Sequence, residues 1–249
     1  MIELERVAFA YPGWMALDGL SAAFKPGTIT ALVGPNGCGK STLLKLTAGL
    51  LRPSGGSIYI NGIDAARMNR VSLARSVAYM PQSRPLPDLC ADAMVLHGRY
   101  PWSGAARGYS DADRRAAEAA MSRTGTLGWS GRLLAELSGG ERQMVYLAAA
   151  LARGASALLL DEPTTHLDVA RQLDIIDILQ EQRALNHTIV VAMHDINLAY
   201  TSADMWLVME RGRTAVLAPP GEAIRSEAFV RVFGVRALDG EAFGFSKSY

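Results

Sequence analysis

The sequence predicts an α/β fold built around a phosphate-binding loop, and three observations carry that reading. Residues 34–42 read Gly-Pro-Asn-Gly-Cys-Gly-Lys-Ser-Thr. They match G-x-x-x-x-G-K-[ST], between a strand-like run, Thr28–Val33, and an apolar-periodic helix with Leu43, Leu44, Leu46 and Leu50. Residues 157–163 read Ala-Leu-Leu-Leu-Asp-Glu-Pro, the pattern of a buried parallel strand ending in two carboxylates. Between the two, residues 88–155 lose strand signals and become alanine-rich and helical. The chain therefore reads as one domain over 1–249, with an α/β core from 1–87 and 156–249 and a helical subdomain from 88–155.

The loop itself predicts nucleotide binding. Gly34, Gly37 and Gly39 allow successive N–H groups to point into one nest, and the helix N-terminus adds a positive field. Pro35, Asn36 and Cys38 fill the loop, and Thr42 closes it. Lys40 supplies a point charge for the β- and γ-phosphates, and Ser41 a hydroxyl for Mg2+.

Bulk properties bound the remaining options. The 249 residues are 49% hydrophobic and 20% charged, an ordinary globular balance. A net charge of +1 gives no electrostatic case for a nucleic-acid partner. Cys38 and Cys90 match no metal spacing, and a disulfide at Cys38 would obstruct the loop, so a reducing compartment is expected. No apolar run reaches the roughly 18 residues of a membrane span, and the first residues lack the pattern of a signal peptide. A cytosolic location follows, with any membrane role exercised through a partner.

In chain order, Ile2 and Leu4 alternate with Glu3 and Glu5, as on a half-buried strand. Tyr11 precedes a Pro-Gly turn and is either a packed turn aromatic or a platform for an adenine ring. Residues 57–61 and 77–80 read as short strands. Gln82 opens an irregular stretch over 83–87. Residues 111–121 read as a helix, and Arg99, Tyr100 and Trp102 form an aromatic–arginine cluster that is either a local packing device or a surface of the kind enriched at protein interfaces. Ser138, Gly139, Gly140 and Glu141 open a long helix over 141–153 and form a second phosphate-binding helix end. Two such ends in one chain make sense if each site takes one from each of two subunits.

Asp161 is placed to hold Mg2+ through water, and Glu162 to orient a water for attack on a γ-phosphate. Asp168 caps a helix over 169–182 with an apolar stripe of Leu173, Ile176 and Leu179, while His166 reads as a loop residue. Residues 188–193 form another buried strand that runs into His194, well placed for a phosphate. A hairpin around Arg211-Gly212 and a tail of two short helices with a mobile end complete the chain.

This ordered set resembles the ATP-binding subunits of ABC transporters. The matching parts are the Walker A loop (34–42), Gln82 of the Q-loop, the signature Leu-Ser-Gly-Gly-Glu (137–141), the Walker B residues Asp161 and Glu162, the D-loop Leu167-Asp168 and the switch His194. More narrowly, the loop sequence, Gly-Arg-Tyr-Pro (98–101), Thr-His-Leu-Asp (165–168) and His-Asp-Ile-Asn-Leu-Ala (194–199) resemble the ATPases of bacterial iron-siderophore, haem and cobalamin importers. One departure is Glu141, where the family more often has Gln.

The resemblance implies a P-loop NTPase core with an N-terminal antiparallel β-subdomain and an inserted α-helical signature subdomain. It implies ATP and Mg2+ as cofactors, with Ser41, Gln82 and Asp161 toward the metal. It also implies a head-to-tail dimer in which Ser138, Gly139, Gly140, Glu141 and Asp168 meet the partner's nucleotide. Glu162, His194 and Lys40 would carry catalysis, Tyr11 would stack on adenine, and residues 99–102 would touch a membrane permease served by a substrate-binding protein. The chain would then sit on the cytoplasmic face of the membrane. The rival readings are another class of ABC transporter ATPase or a soluble ABC ATPase. Cys38, beside Lys40 and a helix N-terminus, is expected to be a reactive thiolate.

Overall fold

The computed structural model describes residues 1–82, 86–103, 108–238 and 244–247. The alternation at the start of the chain becomes β1 (Ile2–Tyr11), which buries Ile2, Leu4 and Val7. It pairs antiparallel with β2 (Trp14–Phe24). After β3 (Thr28–Val33), β4 (Gly55–Ile60) pairs with the other edge of β1, and β5 (Ile63–Asp64) completes a four-stranded antiparallel sheet.

The second sheet holds six strands in the order β10-β9-β3-β8-β7-β6. Its further members are β6 (Val77–Met80), β7 (Ala157–Asp161), β8 (Thr188–Ala192), β9 (Met205–Glu210) and β10 (Arg213–Ala218). All neighbours run parallel except β10, which returns from β9 by a tight turn. Every residue of β7 and β8 is buried, because both faces of this sheet are covered. Ile29, Ala31 and Val33 face one core, together with Ile189 and Val191. Leu32, Val190 and Ala192 face the other, shared with β1 and β4. Continuous apolar strands are what such double burial requires.

The helices are α1 (Lys40–Thr47), α2 (Arg70–Ser76), α3 (Ala91–His97), α4 (Asp111–Arg123), α5 (Gly139–Ala152), α6 (Val169–Ala184), α7 (Ile196–Ser202), α8 (Pro220–Ala223) and α9 (Glu227–Phe233). Helices α3, α4 and α5 share their own core of Ala91, Val95, Ala117, Met121, Val145 and Ala148. The α/β class is as predicted, with an antiparallel sheet, a mainly parallel sheet and a helical cluster between β6 and β7.

Several local expectations change. Helix α1 ends at Thr47, because Gly49 adopts φ +70° just beyond the cap; Leu50 lies outside the helix and is exposed. On α6 the buried apolar positions are Ile175, Ile176, Ile178 and Leu179, and Leu173 points outward at 52% exposure. Within the tail, β11 (Val235–Leu238) and β12 (Gly244–Lys247) pair antiparallel, and residues 248–249 lie outside the described residues. Of the irregular stretch after Gln82, residues 83–85 lie outside the described residues.

The aromatic–arginine cluster proves to be an internal clamp. Arg99 forms an ion pair with Asp113 at 2.9 Å and donates to the carbonyls of Ala152 at 2.9 Å and Arg153 at 3.2 Å. Trp102 donates its indole N–H to Arg153 O at 2.7 Å and lies under the guanidinium of Arg75. These contacts tie α2, α3, α4 and the end of α5 together. Tyr100 and Trp102 remain exposed, at 62% and 40%.

Candidate nucleotide-binding site

The site lies where β3, β7 and β8 end side by side, the position at which parallel sheets present their functional loops. Residues 34–39 leave β3 and turn into α1. Glycine is required at both ends of this loop. A Cβ on Gly34 would stand 2.5 Å from Met209 O, and one on Gly39, at φ +107°, would stand 2.6 Å from Ala16 O. Gly39 caps α1 without a side-chain hydrogen bond, so the first-turn N–H groups stay available to an anion.

Lys40 is buried and crosses the loop. Its ammonium donates to Gly34 O at 2.7 Å and Pro35 O at 3.2 Å. Ser41 Oγ donates to Asp161 Oδ1 at 3.0 Å, and Tyr79 donates its phenol to Asp161 Oδ2 at 3.3 Å. Burial pushes the Asp161 carboxyl above the usual carboxylate range, against the pull of these two hydroxyls.

Glu162 follows directly in a left-handed conformation, φ +54°, which turns its side chain away from that of Asp161. Its backbone N–H donates to Ala192 O at 3.1 Å. Its carboxylate is held by three side chains. Gln82 Nε2 and Thr165 Oγ1 donate to Oε2, and His194 Nε2 meets Oε1. Gln82 extends from the end of β6 and His194 from the end of β8, so adjacent strands converge on one acid.

A cavity of about 410 Å³ joins these groups. Trp14 stands at one side, residues Asn36, Gly37, Gly39, Lys40, Ser41 and Thr42 form the floor, and Gln82, Glu162 and His194 close the far wall. Nine of the predicted site residues therefore meet in one place. Tyr11 does not line this cavity. It stacks on Trp14 with centroids 5.6 Å apart and planes 5° apart, and Trp14 presents the ring to the cavity. Trp14, Tyr79 and Thr165 are the neighbours that the sequence reading missed. Only Trp14 carried a signal, as a second aromatic across the Pro-Gly turn.

The signature lies elsewhere on the chain. Ser138 caps α5 in a reciprocal box: Glu141 N–H donates to Ser138 Oγ at 3.3 Å, and Ser138 N–H to Glu141 Oε2 at 2.7 Å. These bonds hold the Glu141 carboxyl below its usual range. Asp168 caps α6 by accepting from Arg171 N–H at 2.9 Å. The two segments touch, since a Cβ on Gly140 would lie 3.2 Å from Leu167 Cδ2, and Gln143 donates to Pro163 O at 2.8 Å. None of Ser138, Gly139, Gly140, Glu141 or Asp168 lines the cavity of its own chain.

Cys38 departs from expectation. It is buried, and burial raises its thiol pKa by more than nearby Lys40 lowers it. The thiol, not the thiolate, is the resting form. Both cysteines are free.

The loop, paired carboxylates and histidine on this sheet define an ABC-type nucleotide-binding cassette, and residues 17–165 match the ABC transporter family. The chain belongs to that family. It is 34% identical to an iron(3+)-hydroxamate import ATP-binding protein of Bacillus subtilis, over 95% of this chain and 88% of that one. It is also 34% identical to a hemin import ATP-binding protein of Agrobacterium fabrum, over 96% and 94%. A dimeric structure of a bacterial ABC transporter cassette superposes with a TM-score of 0.79 at 27% identity, covering 88% of this chain and 99% of that one. Among the described residues, no helix is long and apolar enough to cross a membrane.

Proposed function

We propose that this chain is the ATP-hydrolysing subunit that powers import of a metal chelate through a membrane permease. The cargo class is iron-siderophore, haem or cobalamin, and the similarity to iron(3+)-hydroxamate and hemin import subunits supports the first two. The observation that carries the reading is Glu162, fixed by Gln82 and His194 across a cavity from the phosphate loop. A carboxylate so held is positioned to take a proton from a water attacking the γ-phosphate. His194 supports the γ-phosphate from the same wall, and Lys40 turns from its loop carbonyls to the β- and γ-phosphates. Trp14, backed by Tyr11, provides the stacking face for the adenine.

The residues fit Mg2+. Ser41 Oγ and Asp161 Oδ1 are hard oxygen donors 3.0 Å apart, and Gln82, donating through its nitrogen, keeps its Oε1 as an acceptor. When bound, the ion would neutralise charge building on the phosphate oxygens.

The cassette works as a head-to-tail pair. The signature and Asp168 lie outside their own chain's cavity, which suits donation to the partner's nucleotide. Residues 88–155 form the helical subdomain that meets the permease, and 1–87 with 156–249 form the ATP-binding core. The chain is peripheral, on the cytoplasmic face of the membrane, and a substrate-binding protein outside delivers the cargo.

The test is ATPase activity of the purified chain, alone and with membranes holding a siderophore, haem or cobalamin permease and its loaded binding protein. Stimulation by one system, lost in Lys40→Ala, is the expected result. Activity that no permease changes would remove the importer assignment.

A further inference from the structure

We propose that Arg211 reads the edge of the nucleotide base and sets the purine preference of the site, an inference that rests on the nucleotide-binding reading above. A second cavity of about 190 Å³ opens beside the first, between Trp14, Met15, loop residues 35–38 and Arg211. The two cavities share Trp14, Asn36 and Gly37. Lys40 and Ser41 border only the larger one, and Arg211 only the smaller. A nucleotide with its phosphates at Lys40 and its ring at Trp14 therefore carries its base toward Arg211.

Arg211 is held in place but chemically unengaged. It sits at the β9–β10 turn at φ +47°. Gly212 N–H donates to Cys38 O at 3.1 Å, and Asp18 N–H donates to Gly212 O at 2.9 Å, so the turn is clamped between the phosphate loop and β2. A Cβ on Gly212 would stand 2.6 Å from Ala16 O, which leaves the turn little room to shift. The neighbouring arginines are neutralised: Arg213 pairs with Asp18 at 2.6 Å and Arg231 with Glu210 at 3.0 Å. Among the described residues, Arg211 has no ion pair and no hydrogen bond.

A planar guanidinium at a ring edge is a directional reader. Adenine offers it the N7 acceptor beside an amino donor, whereas guanine offers N7 and O6 side by side, matching both arms of the fork. Arg211 thus accepts adenine through one bond and rewards guanine through two. The site is an adenine nucleotide site that also takes guanine nucleotides, and this arginine controls how well.

The experiment is equilibrium binding of ATP and of GTP without Mg2+, so that hydrolysis does not run, for the wild type, Arg211→Ala, Arg211→Lys and Lys40→Ala. Both Arg211 variants keep a Cβ at the same left-handed position, so the backbone cost is shared, and an unchanged unfolding midpoint checks folding. Arg211→Ala should weaken GTP about tenfold and ATP by a clearly smaller factor. Arg211→Lys should recover only part of the GTP affinity, since an ammonium reaches N7 and O6 without the fixed geometry of the fork. Equal loss of both nucleotides in Arg211→Ala would mark a charge effect on the phosphates and overturn the proposal, as would no loss of either. If Lys40→Ala loses both nucleotides while Arg211→Ala loses neither, the ATPase reading stands and Arg211 leaves the site. If the wild type binds neither, both readings fall.

Discussion

His194 Nε2 and Glu162 Oε1 meet side chain to side chain, from the ends of two neighbouring parallel strands. The contact joins a group suited to phosphate to a group suited to water, at the wall opposite the phosphate loop. In the proposed mechanism it would fix where each acts before any substrate arrives, which is the condition for electrostatic preorganisation. Gln82 shares the same carboxylate and links it to β6, the strand that leads into the helical cluster.

The buried thiol gives the first prediction. With its pKa raised, Cys38 should alkylate slowly at neutral pH, behind the more exposed Cys90. Its rate should climb only as pH passes above the ordinary thiol range, because the thiolate is the nucleophile. Mass spectrometry of each cysteine during timed labelling reads this directly. Faster labelling of Cys38 than of Cys90 at pH 7 would contradict the assigned burial.

The signature box gives the second. Ser138→Ala removes the cap of α5 and should lower the unfolding midpoint by about 2–4 °C. Glu141→Gln should keep the box, since an amide oxygen still accepts from Ser138 N–H. The charge on Glu141 adds a pH-dependent part. Its folded pKa lies below the usual 4.5, so its contribution is present above that value and is lost as pH falls through the depressed folded value. The midpoint difference between wild type and Glu141→Gln should therefore vanish in acid. A difference that grew as pH fell would reverse the assigned direction.

Arg99 separates packing from partner binding. Arg99→Ala removes the ion partner of Asp113, which keeps its bonds from Ser110, and frees two carbonyls at the end of α5; it should cost about 1–3 kcal/mol in denaturant unfolding. Permease affinity of the folded fraction should be unchanged. Weak binding with full stability would restore the interface reading of that cluster.

The legible parts of the sequence were those whose chemistry is local. The phosphate loop, the strand ends at Asp161 and His194, and the caps at Ser138 and Asp168 each follow from a few neighbouring residues. Boundaries that depend on distant contacts were less readable. Leu173 sits at apolar spacing yet faces outward, because the neighbouring Ile175 and Ile178 claim the buried face of α6. Arg99 and Trp102 read as either a packing device or a binding surface, because the groups they hold lie far along the chain. The protonated state of Cys38 is not legible in the sequence, because burial, which opposes the charged form, does not show in a string of residues. Tyr11 and Trp14 stack on each other, and the sequence does not say which of the two rings borders the cavity.

The measurement that bears most directly on the central claim is turnover and assembly of Glu162→Gln. The substitution keeps the shape and a hydrogen-bonding partner for Gln82 and His194 but removes the proton acceptor. Intact ATP binding is expected, with ATP hydrolysis reduced by roughly 10²–10⁴-fold and a closed ATP-bound dimer accumulating in size-exclusion chromatography. Sustained hydrolysis near the wild-type rate would contradict the role of Glu162 and the mechanism built on it.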